Sequence, residues 1–371
     1  MKKKIAVIYG DGIGREVTEQ AIKALDAVAE VYNHTFIYER GLLGAEAIDA
    51  TGEPLPHKTI DIAKKSDAVL FGAVGDPRFD NNPAAKVRPE QGILAIRKEL
   101  ELYSNIRPVV SYKSLNHLSP LKLRNIEQVD FVIYRELSSG IYFGEHYTNN
   151  NGGTAHDVCT YNVHEIERIA HSAFRTAQQR HKKLHLVDKA NVMETSRLWR
   201  KTVTEVARQY SDVELKFMYI DNAAMQLIIN PGQFDVILTE NLFGDILSDE
   251  SGAITGSLGL LPSASLGSKI GFFEPVHGAF NEAAGKDIAN PVGSILSAAM
   301  MLEFFNMPEE ADLVKQAVSW TLNSGFVTRD IDSVNYYYTS TIGDLISDFI
   351  LGKIPDAVNK SNIELMKSTI I

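Results

Sequence analysis

Short apolar runs alternate along the chain with longer stretches in which apolar positions recur every three or four residues. Ile5–Tyr9, Ala68–Phe71, Phe131–Tyr134, Leu184–Val187, Leu215–Ile220 and Val236–Thr239 are too short for helices and read as buried strands. Glu16–Glu30, Gly92–Leu102 and Ile295–Phe305 carry the helical period, and Gly10–Gly14 reads as a tight loop. Strands followed repeatedly by polar residues and a helical pattern predict an α/β architecture with a largely parallel sheet. His146–Thr160 breaks the rhythm with an Asn- and Gly-rich stretch between possible strands. It is either a hairpin arm or a solvent loop.

Composition narrows the function classes. The chain has 371 residues, enough for about two domains, and 44% are hydrophobic. Its 37 basic and 47 acidic side chains give a net charge of −10, which disfavours nucleic acid and anionic membrane as partners. One cysteine, Cys159, excludes an intrachain disulfide and fits a reducing, cytoplasmic setting. The apolar run after Lys2-Lys3-Lys4 is too short for a signal peptide. No stretch reaches the roughly 18 apolar residues of a membrane span.

Several clusters could carry chemistry. Asp245 and Asp249 follow the strand Val236–Thr239 and lie four apart, on one helix face. They suit a hard divalent cation; equally, acids in a first helical turn answer the helix dipole. Asp221 and Lys189 each follow a predicted strand, where ligands collect in open α/β sheets. A lysine near other cations can serve as a base; a solvated loop charge is the plainer reading of either residue. Glu90, Ile93, Leu94 and Arg97 form one helical stripe of acid, two aliphatic groups and cation. The stripe suits a carboxylate with a branched alkyl tail, or else it packs an ordinary helix into a core. Arg107 and Arg135 add two forks that can grip carboxylates.

Gly10-Asp11-Gly12-Ile13-Gly14 lacks the last glycine of a dinucleotide fingerprint, since Arg15 stands there. It reads as a backbone turn near a ligand, not as a Rossmann site. The long loop from His277 to Asn290 precedes an apolar helix. An acid in it could accept the adenosine ribose hydroxyls of NAD and repel the phosphate of NADP.

Together these segments resemble the β-decarboxylating dehydrogenase family, which includes enzymes of 3-isopropylmalate, isocitrate, homoisocitrate and tartrate. The resemblance runs from Gly10 to about Leu302 and is most specific at 135–145, 187–194, 218–226 and 241–267. The stripe at Glu90, Ile93, Leu94 and Arg97 is similar to the isopropylmalate branch. The resemblance implies that Arg97, Arg107 and Arg135 clamp the malate carboxylates and that Ile93 and Leu94 touch the isopropyl group. Asp221, Asp245 and Asp249 would hold Mg²⁺ or Mn²⁺, with Asp221 also at the substrate. Lys189 would take the hydroxyl proton and Tyr142 would protonate the product carbon. NAD would lie against Ile13, Gly75, Glu90, Asn191, Glu274, His277, Gly278, Glu282, Ala283 and Asn290.

The implied fold has two domains and is not a Rossmann fold. Residues 1–102 and 256–371 would form a discontinuous cofactor-side domain, and 103–255 a second domain with a hairpin arm at about 143–162. The implied active form is a homodimer in which Lys189 and Asp221 serve the partner's site. The implied reaction is oxidative decarboxylation of 3-isopropylmalate in leucine synthesis. D-malate, tartrate and homoisocitrate remain alternative substrates of the same chemistry, and a non-catalytic regulatory subunit is the alternative of another class. Two loops depart from the family. His-Gly-Ser-Ala-Pro-Asp is replaced by His277-Gly278-Ala279-Phe280-Asn281-Glu282, and Gly-Gly-Pro-Lys-Trp-Asp by Gly75-Asp76-Pro77-Arg78-Phe79-Asp80.

Overall fold

The computed structural model describes residues 1–80, 87–127, 129–149 and 151–353. Ten strands form one sheet and two more form a hairpin. The first wing holds β1 (Lys2–Gly10), β2 (Thr35–Gly41) and β3 (Ala68–Ala73). β4 (Ser104–Val110) and β5 (Asp130–Glu136) follow, then the hairpin β6 (His146–Thr148) and β7 (Ala155–Asp157). β8 (Lys183–Asp188), β9 (Glu214–Tyr219) and β10 (Val236–Thr239) make the second wing. β11 (Pro262–Leu266) and β12 (Gly271–Pro275) return to the middle.

The sheet order is β2-β1-β3-β12-β11-β4-β5-β10-β8-β9. Both wings are parallel. They are joined through antiparallel pairs, β12 with β11, β11 with β4, and β4 with β5. The sheet is therefore mixed, as the expected fold requires.

Strand alternation divides the cores between the two faces. On β5, Val132 and Tyr134 join the helices Val163–Gln179 and Glu194–Ala207. Phe131 and Ile133 join the opposite face, under the helices Ile220–Ile229 and Asn241–Thr255. In the first wing, Gly14–Tyr32, Val292–Phe304, Pro308–Asn323 and Thr339–Ile350 cover one face. The helix Pro89–Glu99 covers the other through Ile93 and Ile96, against Phe71 and Phe272.

The six predicted strands are all present, four of them two to four residues longer than expected. The first helix starts at Gly14 rather than Glu16. The stripe-bearing helix runs from Pro89 to Glu99, not from Gly92 to Leu102, because Pro89 at its first turn is pre-set for helix. Ile220 opens a helix instead of ending a strand. The turn-rich segment is a hairpin, with His146 opposite Asp157 and Tyr147 stacked on His156 at 4.5 Å.

Candidate active site

Three arginines line the middle of the sheet and the adjoining helix. Arg107 on β4 and Arg135 on β5 are both buried. Arg107 donates from Nε to Asn105 Oδ1 at 2.7 Å and from Nη1 to Ser248 Oγ at 2.5 Å and Asp249 Oδ1 at 3.3 Å. Its Nη2 lies 3.6 Å from Asp245 Oδ1. Arg135 donates from Nε to Asn241 Oδ1 at 2.9 Å and from Nη1 to the Asp245 carboxylate. Tyr142 donates its hydroxyl to the other Asp245 oxygen at 2.9 Å, with its ring 5.6 Å from the Arg135 guanidinium. Arg97, from the helix Pro89–Glu99, pairs with Glu274 Oε1 on β12 at 3.0 Å.

Burying cations this close is costly unless carboxylates answer them. Burial, with Arg107 adding repulsion, pulls Arg135 down to about 10. Burial raises the Asp245 carboxyl, but Arg135, Arg107 and the Tyr142 hydroxyl outweigh it and hold it below its ordinary value. Burial raises Asp249, against the opposing pull of Arg107. Burial and then the Asp245 charge push the Tyr142 phenol up to about 12, so it keeps its proton across the physiological range. The cluster thus presents anion-binding forks, two carboxylates and a protonated phenol in one place.

Lys189 and Asp221 form a separate pair. Lys189 follows β8, and its backbone N–H donates to Ser196 Oγ at 3.0 Å. Its Nζ donates to the Asp221 carboxylate in the first turn of the helix after β9. That bond lowers the pKa of exposed Asp221. Among the described residues no three His, Cys, Asp or Glu side chains gather as a metal cage. One chain therefore brings together Asp245 and Asp249 but not Asp221.

The stripe splits by burial. Ile93 lies in the core at 6% exposure, whereas Glu90, Leu94 and Arg97 are half-buried. Much of the expected cofactor wall converges. Ile13 and Ala283 share a small apolar cluster with Val17 and Ala289. Asn281 donates to the Gly75 carbonyl at 2.8 Å, and Ile13 N–H donates to the Ala279 carbonyl at 2.8 Å. A Cβ at Gly75 would stand 3.3 Å from Glu90 Oε1. Buried His277 Nε2 has no partner among the described residues, and a Cβ on Gly278 would meet open space. Glu282 is exposed. Asn290 is committed to structure, accepting from Val292 N–H at 3.0 Å and donating to Asp330 at 3.1 Å. Asn191 is exposed beside Lys189, away from that loop in the sequence.

Two residues that aim the arginines were not foreseen. Asn105 precedes Arg107 by two on the same strand face, and period-two reading of β4 would have paired them. Asn241 opens the helix after β10 and fixes Arg135; its place at the start of that helix, directly after the strand, is the available signal.

Residues 4–346 match the model of the isocitrate/isopropylmalate dehydrogenase family. A 3-isopropylmalate dehydrogenase of Aquifex aeolicus is 53% identical over 90% of this chain and 93% of its own. One of Heyndrickxia coagulans is 49% identical over 98% of this chain and its entire length (100%). Among solved structures, an isocitrate dehydrogenase of Methylococcus capsulatus has a TM-score of 0.85 at 30% identity, covering 94% of this chain and 99% of that one. A β-decarboxylating dehydrogenase of Thermococcus kodakarensis has a TM-score of 0.77 at 35% identity, covering 100% and 99%. The same mixed sheet and near-complete coverage leave one conclusion: the chain belongs to the isocitrate/isopropylmalate dehydrogenase family.

Proposed function

We propose that this enzyme oxidises and decarboxylates 3-isopropylmalate to 4-methyl-2-oxopentanoate and CO₂, using NAD and Mg²⁺ or Mn²⁺. The observation that carries the reading is the convergence of Arg107, Arg135 and Tyr142 on the Asp245 and Asp249 carboxylates. Relatives named for 3-isopropylmalate, at about half identity over most of the chain, support the substrate.

The residues present fit the two absent groups. Asp245 and Asp249 offer the hard oxygen donors that such ions take. His277 Nε2, without a partner among the described residues, and the open space over Gly278 suit a polar ligand lying along the loop. When bound, NAD supplies the hydride acceptor and the ion polarises the C2 oxygen. Arg97, Arg107 and Arg135 fix the two substrate carboxylates through charge-assisted forks. Leu94 supplies an aliphatic contact for the isopropyl group. Lys189 Nζ accepts the C2 hydroxyl proton, and Tyr142 Oη delivers a proton to C3 after CO₂ departs. Glu282 accepts from the adenosine ribose and disfavours a phosphate there.

The single-chain site is incomplete, because Lys189 and Asp221 stand apart from the cluster. We therefore assign them to the site of a second copy, making the active form a homodimer. Exposed Met225, Ile228 and Ile229, together with Ile246 on the neighbouring helix, provide an apolar surface for that contact. We assign residues 1–102 with 256–371 to one domain, around the first wing, and 103–255 to the other, around the second; residues 81–86, 128, 150 and 354–371 lie outside those described. Among the described residues no helix is long and apolar enough to cross a membrane, and a cytoplasmic location accords with the biosynthetic role.

The test is NADH formation, followed by absorbance, with purified protein, Mg²⁺ and 3-isopropylmalate beside D-malate, tartrate and isocitrate. Fastest turnover with 3-isopropylmalate, lost on chelation, is expected. Higher kcat/KM on another substrate would move the enzyme to a sister activity.

A further inference from the structure

One buried acid has no place in the scheme above. Glu240 stands between β10 and the helix Asn241–Thr255, and it is 4% exposed. Its Oε2 is buried without a hydrogen-bond partner among the described residues. Trp199 Nε1, on the helix Glu194–Ala207, is likewise buried without a partner among the described residues. An unpaired carboxylate there would be costly, so the site demands a reason for keeping an acid.

Its neighbours suggest one. β10 pairs with β8 in parallel, with Thr239 opposite Val187, so the next step of the ladder sets Glu240 beside Asp188. Asp188 shapes the turn that carries Lys189. It accepts from Arg200 Nε at 2.8 Å and Nη2 at 2.7 Å, and from Ala190 N–H at 3.1 Å. On its other side, Glu240 adjoins Asn241, which holds Arg135 and whose N–H donates to the Tyr161 hydroxyl at 3.0 Å. Tyr161 packs edge-on to Trp199 at 5.4 Å. Glu240 thus lies between the Lys189 turn and the helix that bears Asp245 and Asp249.

We propose that Glu240, in its neutral acid form, is a positioning residue for the Lys189 turn. The neutral acid tolerates Asp188 as its neighbour. Its anion sets two carboxylates side by side, repels Asp188 from Arg200, and displaces the turn that aims Lys189. Burial, reinforced by the Asp188 charge, pushes the Glu240 carboxyl up to about 7, which places this change near neutrality. The ionisable groups facing it are Asp188 from β8, Cys159 and Tyr161 from the segment after the hairpin, and, through Asp188, Arg200 from the helix Glu194–Ala207. Cys159 and Tyr161 are both raised by burial and stay neutral. The inference rests on the reading of Lys189 as proton acceptor.

The experiment compares pH profiles of kcat for wild type and Glu240→Gln, an isostere of the neutral acid. Between about pH 6 and about pH 8.5, wild type is expected to lose roughly threefold to tenfold in kcat relative to the variant, with KM nearly unchanged. Parallel profiles would overturn the proposal. If Glu240→Gln does not fold, Trp320→Phe leaves Trp199 as the one indole. A step in its fluorescence near neutral pH is expected, and a flat titration would overturn the idea. A chain showing that step but no turnover of 3-isopropylmalate would instead overturn the reading of the reaction.

Discussion

At the scale of single residues, the arginines and carboxylates divide the work by burial. Arg135 and Arg107 cannot move far, whereas Asp221 and Asp249 are open to a ligand. Lys189→Ala is expected to lower kcat by about 10²–10⁴-fold, with circular dichroism unchanged, because only a half-exposed side chain is lost. Large residual turnover would remove it from proton transfer. Leu94→Ser should cost about 1–3 kcal/mol in kcat/KM for 3-isopropylmalate and much less for D-malate, since only the first substrate has an alkyl group to lose. Equal losses would argue against an alkyl contact. Phe280 stands in the left-handed region at φ 39°, 58% exposed, where its ring adds little packing. Phe280→Gly should therefore raise stability by about 1 kcal/mol in denaturant melts; a drop would mean the ring is covered by something. Spacing in the sequence exposed the acids and arginines as candidates. It did not expose Asn105, Asn241 or Glu240, whose roles depend on which strands become neighbours.

At the scale of elements, the short apolar runs of β3, β8 and β10 were legible because those strands are buried along nearly their whole length. It passed over β2, with its partly exposed and charged pattern, and the β4, β11 and β12 group. β11 reads Pro-Ser-Ala-Ser-Leu, and Ser263 and Ser265 are buried because Asn105 Nδ2 donates to both, at 2.8 and 3.0 Å. A polar ladder of that sort carries no hydrophobic alternation to detect. Both strands of the hairpin, β6 and β7, are exposed throughout, with Tyr147 at 53%, and contribute nothing to either core. The arm resembles the hairpin that locks the dimer in this family, so deleting residues 146–157 should leave the fold intact and shift the proposed homodimer toward monomers in light scattering. An unchanged mass would remove the arm from the dimer contact.

At the scale of the whole molecule, the expected architecture and its mixed sheet were readable from strand–helix alternation and the family motifs. The proposed division of labour between two copies rests on the pairing of Lys189 with Asp221, apart from the Asp245 and Asp249 carboxylates. The order of strands in the sheet also bears on how the chain is made. β3 is buried along its whole length, yet the strand that pairs with its free edge, β12, lies about two hundred residues later. The four helices covering one face of that wing include three that begin only after Pro291. The second wing, by contrast, is one uninterrupted stretch of chain. On the ribosome, the interior segment can therefore finish folding while the amino-terminal third still waits with an open apolar edge for residues yet to be translated. Of the two wings, the one begun first is the one completed last.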